Sequence, residues 1–255
     1  MTPYTGYILC TSPRSGSTLL CTLLEATGIA GAPESLFYLP DLEDWRDRLG
    51  VPTIADEHAQ LTALIAAALE HGRAGTDIFA LRQQRHSFAF LCQKLAVHYP
   101  DAPTDLARLQ RAFGNTLFIH LTREDKVAQA VSYLKAEQTG LWHVAPDGSD
   151  FERTGQGAPA YDGDAIRAKV QTLTDYDRDW TAWFAEQGIE PLRLSYDELS
   201  TAPIATLHRV LESLGLDPQA AAGIEPGVRK MADARSRDWI ARFRAEAGLG
   251  AGKGV

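Results

Sequence analysis

Short apolar runs alternate with longer amphipathic stretches along this chain. The first run, Tyr7 to Thr11, leads into a polar turn. A helical pattern follows from Gly16 to about Thr27, closed by Gly28. Leu19, Leu20, Leu23 and Leu24 recur at the spacing of one helix face. The periodicity predicts a further helix over His58 to His71, with Leu61, Leu64, Ile65, Ala68 and Leu69 on one side. Thr76 to Leu81 reads as a short strand and Phe88 to Tyr99 as a helix. Thr116 to Leu121 is nearly continuous in apolar residues, as expected of a strand buried on both faces. A helix follows from about Glu124 to Gln138. Gly163 to Gln187 predicts a long helix with Ile166, Val170, Leu173, Trp180 and Phe184 as its core stripe. Pro191 to Leu194 is a last strand and Pro203 to Leu214 a last helix.

Gly- and Pro-rich punctuation separates these elements. Gly28 to Leu42 and the Gly-, Pro- and Asp-rich segment Ala145 to Ala160 read as loops, the second a mobile one. The alternation of strand and helix predicts an α/β fold, with a parallel sheet covered on both faces. No repeat or low-complexity linker interrupts the chain, so residues 1–255 are expected to form a single domain. Ligands of such folds bind beyond the carboxyl ends of the strands. Two polar clusters fall there: TSPRSGST after the first strand and LTRED after the Thr116 strand.

Composition narrows the classes. With 255 residues the chain can bury a core without disulfide or metal staples. Its three cysteines, Cys10, Cys21 and Cys92, are scattered and form no C-x-x-C pair. They read as reduced, buried residues of a cytoplasmic protein. The start MTPYTGYILC lacks the basic and long apolar stretches of a secretory signal, and no run approaches a transmembrane segment. A net charge of −8 argues against general binding to nucleic acid or anionic membrane, so any anion must be held by a local cluster.

In the first cluster Gly16 lets the backbone approach an anion at a helix N-terminus, where amides lack intrahelical partners. Ser15, Ser17 and Thr18 add hydroxyls and Arg14 a charge. Ser17 stands where the nucleotide-hydrolase loop carries its lysine, which weighs against ATP or GTP hydrolysis. The plainer reading is a helix cap with solvent-facing serines. In the second cluster Arg123 offers a bidentate grip for a phosphate, and Ser132, nine residues on, a hydroxyl. Alternatively Arg123 pairs with Glu124 or Asp125. Two anion sites at two strand ends suit a ligand with two separated phosphates, such as an adenosine bisphosphate.

SPRSGSTLL, followed by GAPESLF, FIHLTREDKVAQAVSY and ARSRDW, resembles the PAPS-dependent sulfotransferases, in particular the bacterial branch that includes trehalose 2-sulfotransferase. The resemblance runs from about Tyr7 to Arg244 and is weakest between Leu39 and Leu109. It implies a three-layer, P-loop-like fold with a central, mostly parallel sheet, and transfer of a sulfuryl group from PAPS to a hydroxyl, leaving PAP. It implies that Arg14, Ser15, Gly16, Ser17 and Thr18 hold the 5′-phosphosulfate, and that Arg123 and Ser132 hold the 3′-phosphate. The late stretch RKMADARSRDW matches a loop that closes over the nucleotide, with Arg229, Lys230 and Arg235 as its phosphate contacts; surface charge near a helix start is the alternative.

Sulfuryl transfer needs a base for the acceptor proton and no metal. In this branch a glutamate of the Gly-x-Pro loop serves. Aligned without a gap it falls on Ser35, with Glu34 one residue early. Glu34 is the expected base, assisted by Arg14; the alternative is that Glu34 is a rim carboxylate and another group, such as a histidine, is the base. Arg82 could touch the sulfonate or the acceptor, or form a structural ion pair. Phe37, Tyr38 and Trp142 are expected to line the acceptor entrance, although Trp142 could equally be a core or dimer-contact residue. His86 and His120 read as structural. The acceptor is expected to be a carbohydrate or glycolipid hydroxyl, trehalose-like sugars included, and a homodimer is implied by resemblance alone. Two alternatives compete: a nucleotide kinase or NTPase, and a non-catalytic module that binds an adenosine bisphosphate.

Overall fold

The computed structural model describes residues 4–144, 150–153, 159–225 and 234–249. Strand β1 (Gly6–Thr11) is buried along its whole length and lies at the centre of the molecule. It pairs in parallel with β2 (Phe79–Gln84) on one side and β3 (Thr116–Thr122) on the other. A short strand, β6 (Leu192–Ser195), adds to β3, again in parallel, and completes the order β2-β1-β3-β6. The chain therefore leaves β1 for one neighbour and later crosses to the other. In open α/β sheets such a reversal marks where ligands bind, here beyond the carboxyl ends of β1 and β3.

Side-chain alternation sends Ile8 and Cys10 to one face and Tyr7 and Leu9 to the other. The first face packs under α2 (Leu42–Leu49), α3 (Glu57–Arg73), α4 (Arg85–His98), α5 (Asp105–Phe113) and α7 (Gly163–Glu186). The second packs against α1 (Ser17–Ala26), α8 (Tyr196–Thr201) and α9 (Pro203–Leu214). The predicted layering of helix, parallel sheet and helix is what forms. A third apolar cluster joins α6 (Lys126–Thr139), α7 and α10 (Ala234–Glu246) beyond the sheet. No helix among the described residues is long and apolar enough to cross a membrane.

The structure departs from the sequence expectations in several places. Strand β2 is shifted to Phe79–Gln84, because its six residues align with the six of β1. Thr76 instead closes the preceding turn, its hydroxyl accepting from the amide of Ile78 at 3.2 Å. Helices α2, α5 and α8 are additions, each with its own side-chain cap: Asp41, Thr104 and the reciprocal Ser195–Glu198 box. Part of the segment expected as a mobile loop is strand: Asp150–Arg153 (β5) pairs antiparallel with Leu141–Val144 (β4). The end of the stretch expected to close over the nucleotide is the first turn of α10, where Arg235 is exposed. Arg229 and Lys230 lie outside the described residues.

Candidate active site

The turn after β1 is held in a backbone conformation that few residues tolerate. Gly16 has φ +91° and caps α1, and as a glycine it has no side chain to bond the helix's first amides. A Cβ at this position would lie 2.7 Å from Cδ2 of Tyr196. Gly16→Ala is therefore expected to cost about 1–3 kcal/mol, from positive-φ strain and the clash with Tyr196. Chemical denaturation of the variant measures it. Arg14 is also left-handed, at φ +63°. Ser15 is fully buried and its hydroxyl bonds that of Thr11, so it stabilises the turn from inside. Ser17 is buried as well.

The two strand-end arginines converge. Arg14 donates from Nε to Ser132 Oγ at 3.0 Å and from Nη1 to the Trp142 carbonyl. Arg123 donates from Nη1 to the Arg14 carbonyl at 3.4 Å, and its guanidinium stacks 4.2 Å over the ring of Tyr196. The Nε of Arg123 is buried and has no hydrogen-bond partner among the described residues. Burial pulls the Arg14 guanidinium down to about 10, and the neighbouring Arg123 adds to this. Burial lowers Arg123 too, against the opposing pull of Tyr196, Asp125 and Asp197. Asp125 does not compete for Arg123 by hydrogen bonding. It caps α6 and pairs with Arg244 at 2.8 Å. Burying a guanidinium costs solvation that a bound anion would offset.

The third strand end supplies the neighbouring groups. The segment after Gly31 runs beside β2, with a parallel bridge from Glu34 to Leu81 and a bond from Arg82 N to Glu34 O at 3.0 Å. Only a glycine fits at position 31, where φ is +69° and a Cβ would meet two carbonyl oxygens at 2.5 Å. Arg82 donates to Ser35 Oγ at 2.8 Å and to Thr18 Oγ1 at 3.1 Å, tying this segment to the first turn of α1. Ser35 thus faces Arg82, while Glu34 is exposed. Burial raises the nearby Cys21 thiol to about 11, with Arg82 opposing and Glu25 and Glu34 adding.

Not every expected acceptor-side residue is at these strand ends. Phe37 is 2% exposed, packed edge-on against Trp45 with ring centroids 4.7 Å apart, so it belongs to the core. Its neighbour Tyr38 is half-buried and meets the ring of His86 edge-on. His86 Nε2 lies 3.0 Å from the Tyr38 carbonyl, which calls for the proton on that nitrogen. Burial lowers the imidazole of His86. Trp142 holds Arg14 through its carbonyl, and its ring leans on Tyr133 at 6.0 Å. His120 is buried against Phe184, and burial drops it to about 4, which keeps it neutral.

The family model of the Stf0 sulphotransferases matches residues 6–246. The chain belongs to that family. It is 34% identical over 261 residues to a trehalose 2-sulfotransferase of Mycobacterium tuberculosis strain Erdman, across 94% of this chain and 95% of the relative. It is 32% identical over 263 residues to a trehalose 2-sulfotransferase of Mycolicibacterium smegmatis, across 95% and 96%. A sulfotransferase domain from the Synechococcus PCC 7002 olefin synthase is similar with a TM-score of 0.43 and 15% identity, covering 98% of this chain and 96% of that one.

Sequence reasoning missed several residues of this Stf0 sulphotransferase site. Tyr196 is the ring beneath Arg123 and the wall behind Gly16. Its only local signal was its place directly after the last strand. Gln84 Oε1 and Arg85 Nε are buried at the end of β2 without hydrogen-bond partners among the described residues, with the Arg85 guanidinium 5.7 Å from the Trp180 ring. Ending that strand at Leu81 hid both. The arrangement can hold two anionic groups and keeps polar side chains at the adjoining strand end.

Proposed function

We propose that this sulfotransferase moves a sulfuryl group from PAPS to a hydroxyl of a carbohydrate, with a trehalose-like disaccharide as the leading acceptor. The observation that carries the donor reading is the meeting of the turns after β1 and β3, where the Arg123 guanidinium bonds the Arg14 carbonyl and its buried Nε has no hydrogen-bond partner among the described residues. The α1 N-terminus, capped by a glycine that offers no side chain of its own, suits the 5′ end of the donor. Arg14, Gly16, Ser17 and Thr18 hold the phosphosulfate there, and buried Ser15 braces the turn. Arg123 and Ser132 hold the 3′-phosphate, and Arg229, Lys230 and Arg235 remain the late contacts. The names of the two mycobacterial relatives support the acceptor class.

PAPS supplies a sulfuryl group on a phosphate leaving group. Glu34 takes the acceptor proton as the hydroxyl oxygen bonds to sulfur and the bond from sulfur to the phosphate oxygen breaks. Arg14, Arg82 and the α1 amides hold the negative charge that gathers on the phosphate. Tyr38 and Trp142 flank the acceptor. Residues 1–255 act as one domain in this reading, in the cytoplasm and without a metal. A glycolipid acceptor and a homodimer are extensions that rest on the family resemblance.

The test is calorimetric titration of PAP and of ATP, both without magnesium, followed by turnover with PAPS and trehalose. Tight PAP binding without ATP heat, together with a sulfated sugar, is the expected result. Preference for ATP would overturn the donor reading. Tight PAP binding without turnover on any sugar would favour the non-catalytic module.

A further inference from the structure

A buried polar cluster lies behind the two anion-holding arginines and is not part of the reaction above. At its centre is Lys126, on the first turn of α6 and 8% exposed. Its ammonium donates to the Arg123 carbonyl at 2.6 Å, to Gln129 Oε1 at 3.2 Å and to Asp177 Oδ2 of α7. All three of its protons are thus placed. Gln129, fully buried, donates both amide protons: to Ser12 Oγ at 3.0 Å and to the Pro13 carbonyl at 2.7 Å. Ser12 Oγ donates in turn to Asp177 Oδ1 at 3.4 Å. One turn along α7, Trp180 Nε1 donates to the Thr11 carbonyl at 3.0 Å.

The pattern of contacts is selective. On the strand-end turns, the cluster bonds Ser12 and Pro13, immediately before Arg14, and the carbonyl of Arg123 itself. Both oxygens of one carboxylate are shared between the two turns: one accepts from Ser12, the other from the lysine that holds Arg123. A buried ion pair is weak evidence for stability, because apolar residues of similar size often serve as well. Its geometry can nevertheless fix a register between two elements.

We infer that Asp177, Lys126, Gln129 and Ser12 form a positioning cluster that sets the spacing between the Arg14 and Arg123 anion sites. The inference rests on the donor reading above. A ligand with two phosphates gains when both sites are spaced to engage it at once, whereas a ligand with one phosphate does not. Loss of the cluster should therefore weaken PAP selectively.

The experiment compares affinities for PAP and for adenosine 5′-monophosphate by calorimetry, in wild type, Asp177→Asn and the paired variant Lys126→Met with Asp177→Leu. The paired variant removes the buried charges together, so it folds even if Asp177→Asn, which strands the lysine, does not. The wild type should prefer PAP. In the variants PAP should weaken by about tenfold or more and the monophosphate by less than about threefold, so that the preference collapses. Equal weakening of both ligands, or no weakening in a folded variant, overturns the inference and makes the cluster purely structural. A wild type that shows no preference for PAP overturns the donor reading, and this inference with it. The two failures are therefore distinguishable.

Discussion

Glu34→Gln is expected to lower turnover by about 10²–10⁴-fold, the usual contribution of a positioned general base. PAP affinity should stay at the wild-type value. The backbone of residue 34 is fixed by its bridge to Leu81 and its bond from Arg82, and the glutamine needs no different backbone. The carboxylate is exposed, so removing its charge leaves no buried partner unsatisfied. The fold should be unaffected, and the loss should appear in kcat rather than in donor binding. Steady-state rates with PAPS and trehalose, beside calorimetry with PAP, separate the two. Wild-type turnover in the variant would place the base elsewhere. Ser35 faces Arg82 from the next position, so Ser35→Glu is the natural companion variant for locating the carboxylate that the family pattern calls for.

Arg123→Ala is the second large effect. A charge-assisted bond to phosphate contributes about 1.5–3 kcal/mol, so PAP affinity should fall by roughly 10- to 150-fold. Stability should change far less. Arg123 sits beside Arg14, and burial and that neighbour both depress Arg14, so losing one cation relieves the other. The stacking on Tyr196 and the bond to the Arg14 carbonyl are the contacts given up. Calorimetry with PAP and a thermal melt of the free protein read the two quantities. Unchanged PAP affinity would show that Arg123 does not hold the 3′-phosphate.

Much of this was legible along the chain. Short apolar runs marked β1 and β3, and helical stretches marked α1, α3, α6, α7 and α9, because burial imposes a local pattern. The turn chemistry around Gly16 was readable for the same reason: a positive φ before a helix calls for glycine. Helices α2, α5 and α8 were harder. Each is nine residues or fewer, too short for periodicity to stand out, and only the caps Asp41, Thr104 and Ser195 signal them.

The sequence by itself determined the fold class, the two polar strand ends and the resemblance that links them. Each depends on residues close together in the chain. Tertiary structure alone decided which of those residues meet. It turned Phe37 into the core and left Tyr38 beside His86. It brought Tyr196 under Arg123, and it paired Lys126 with Asp177 across 51 positions. Such contacts follow from how strands order in a sheet and how helices cross above it. No local pattern encodes a distance between strand ends, so the spacing of Arg14 and Arg123 exists only once β1 and β3 lie side by side and α6 and α7 pack against their turns.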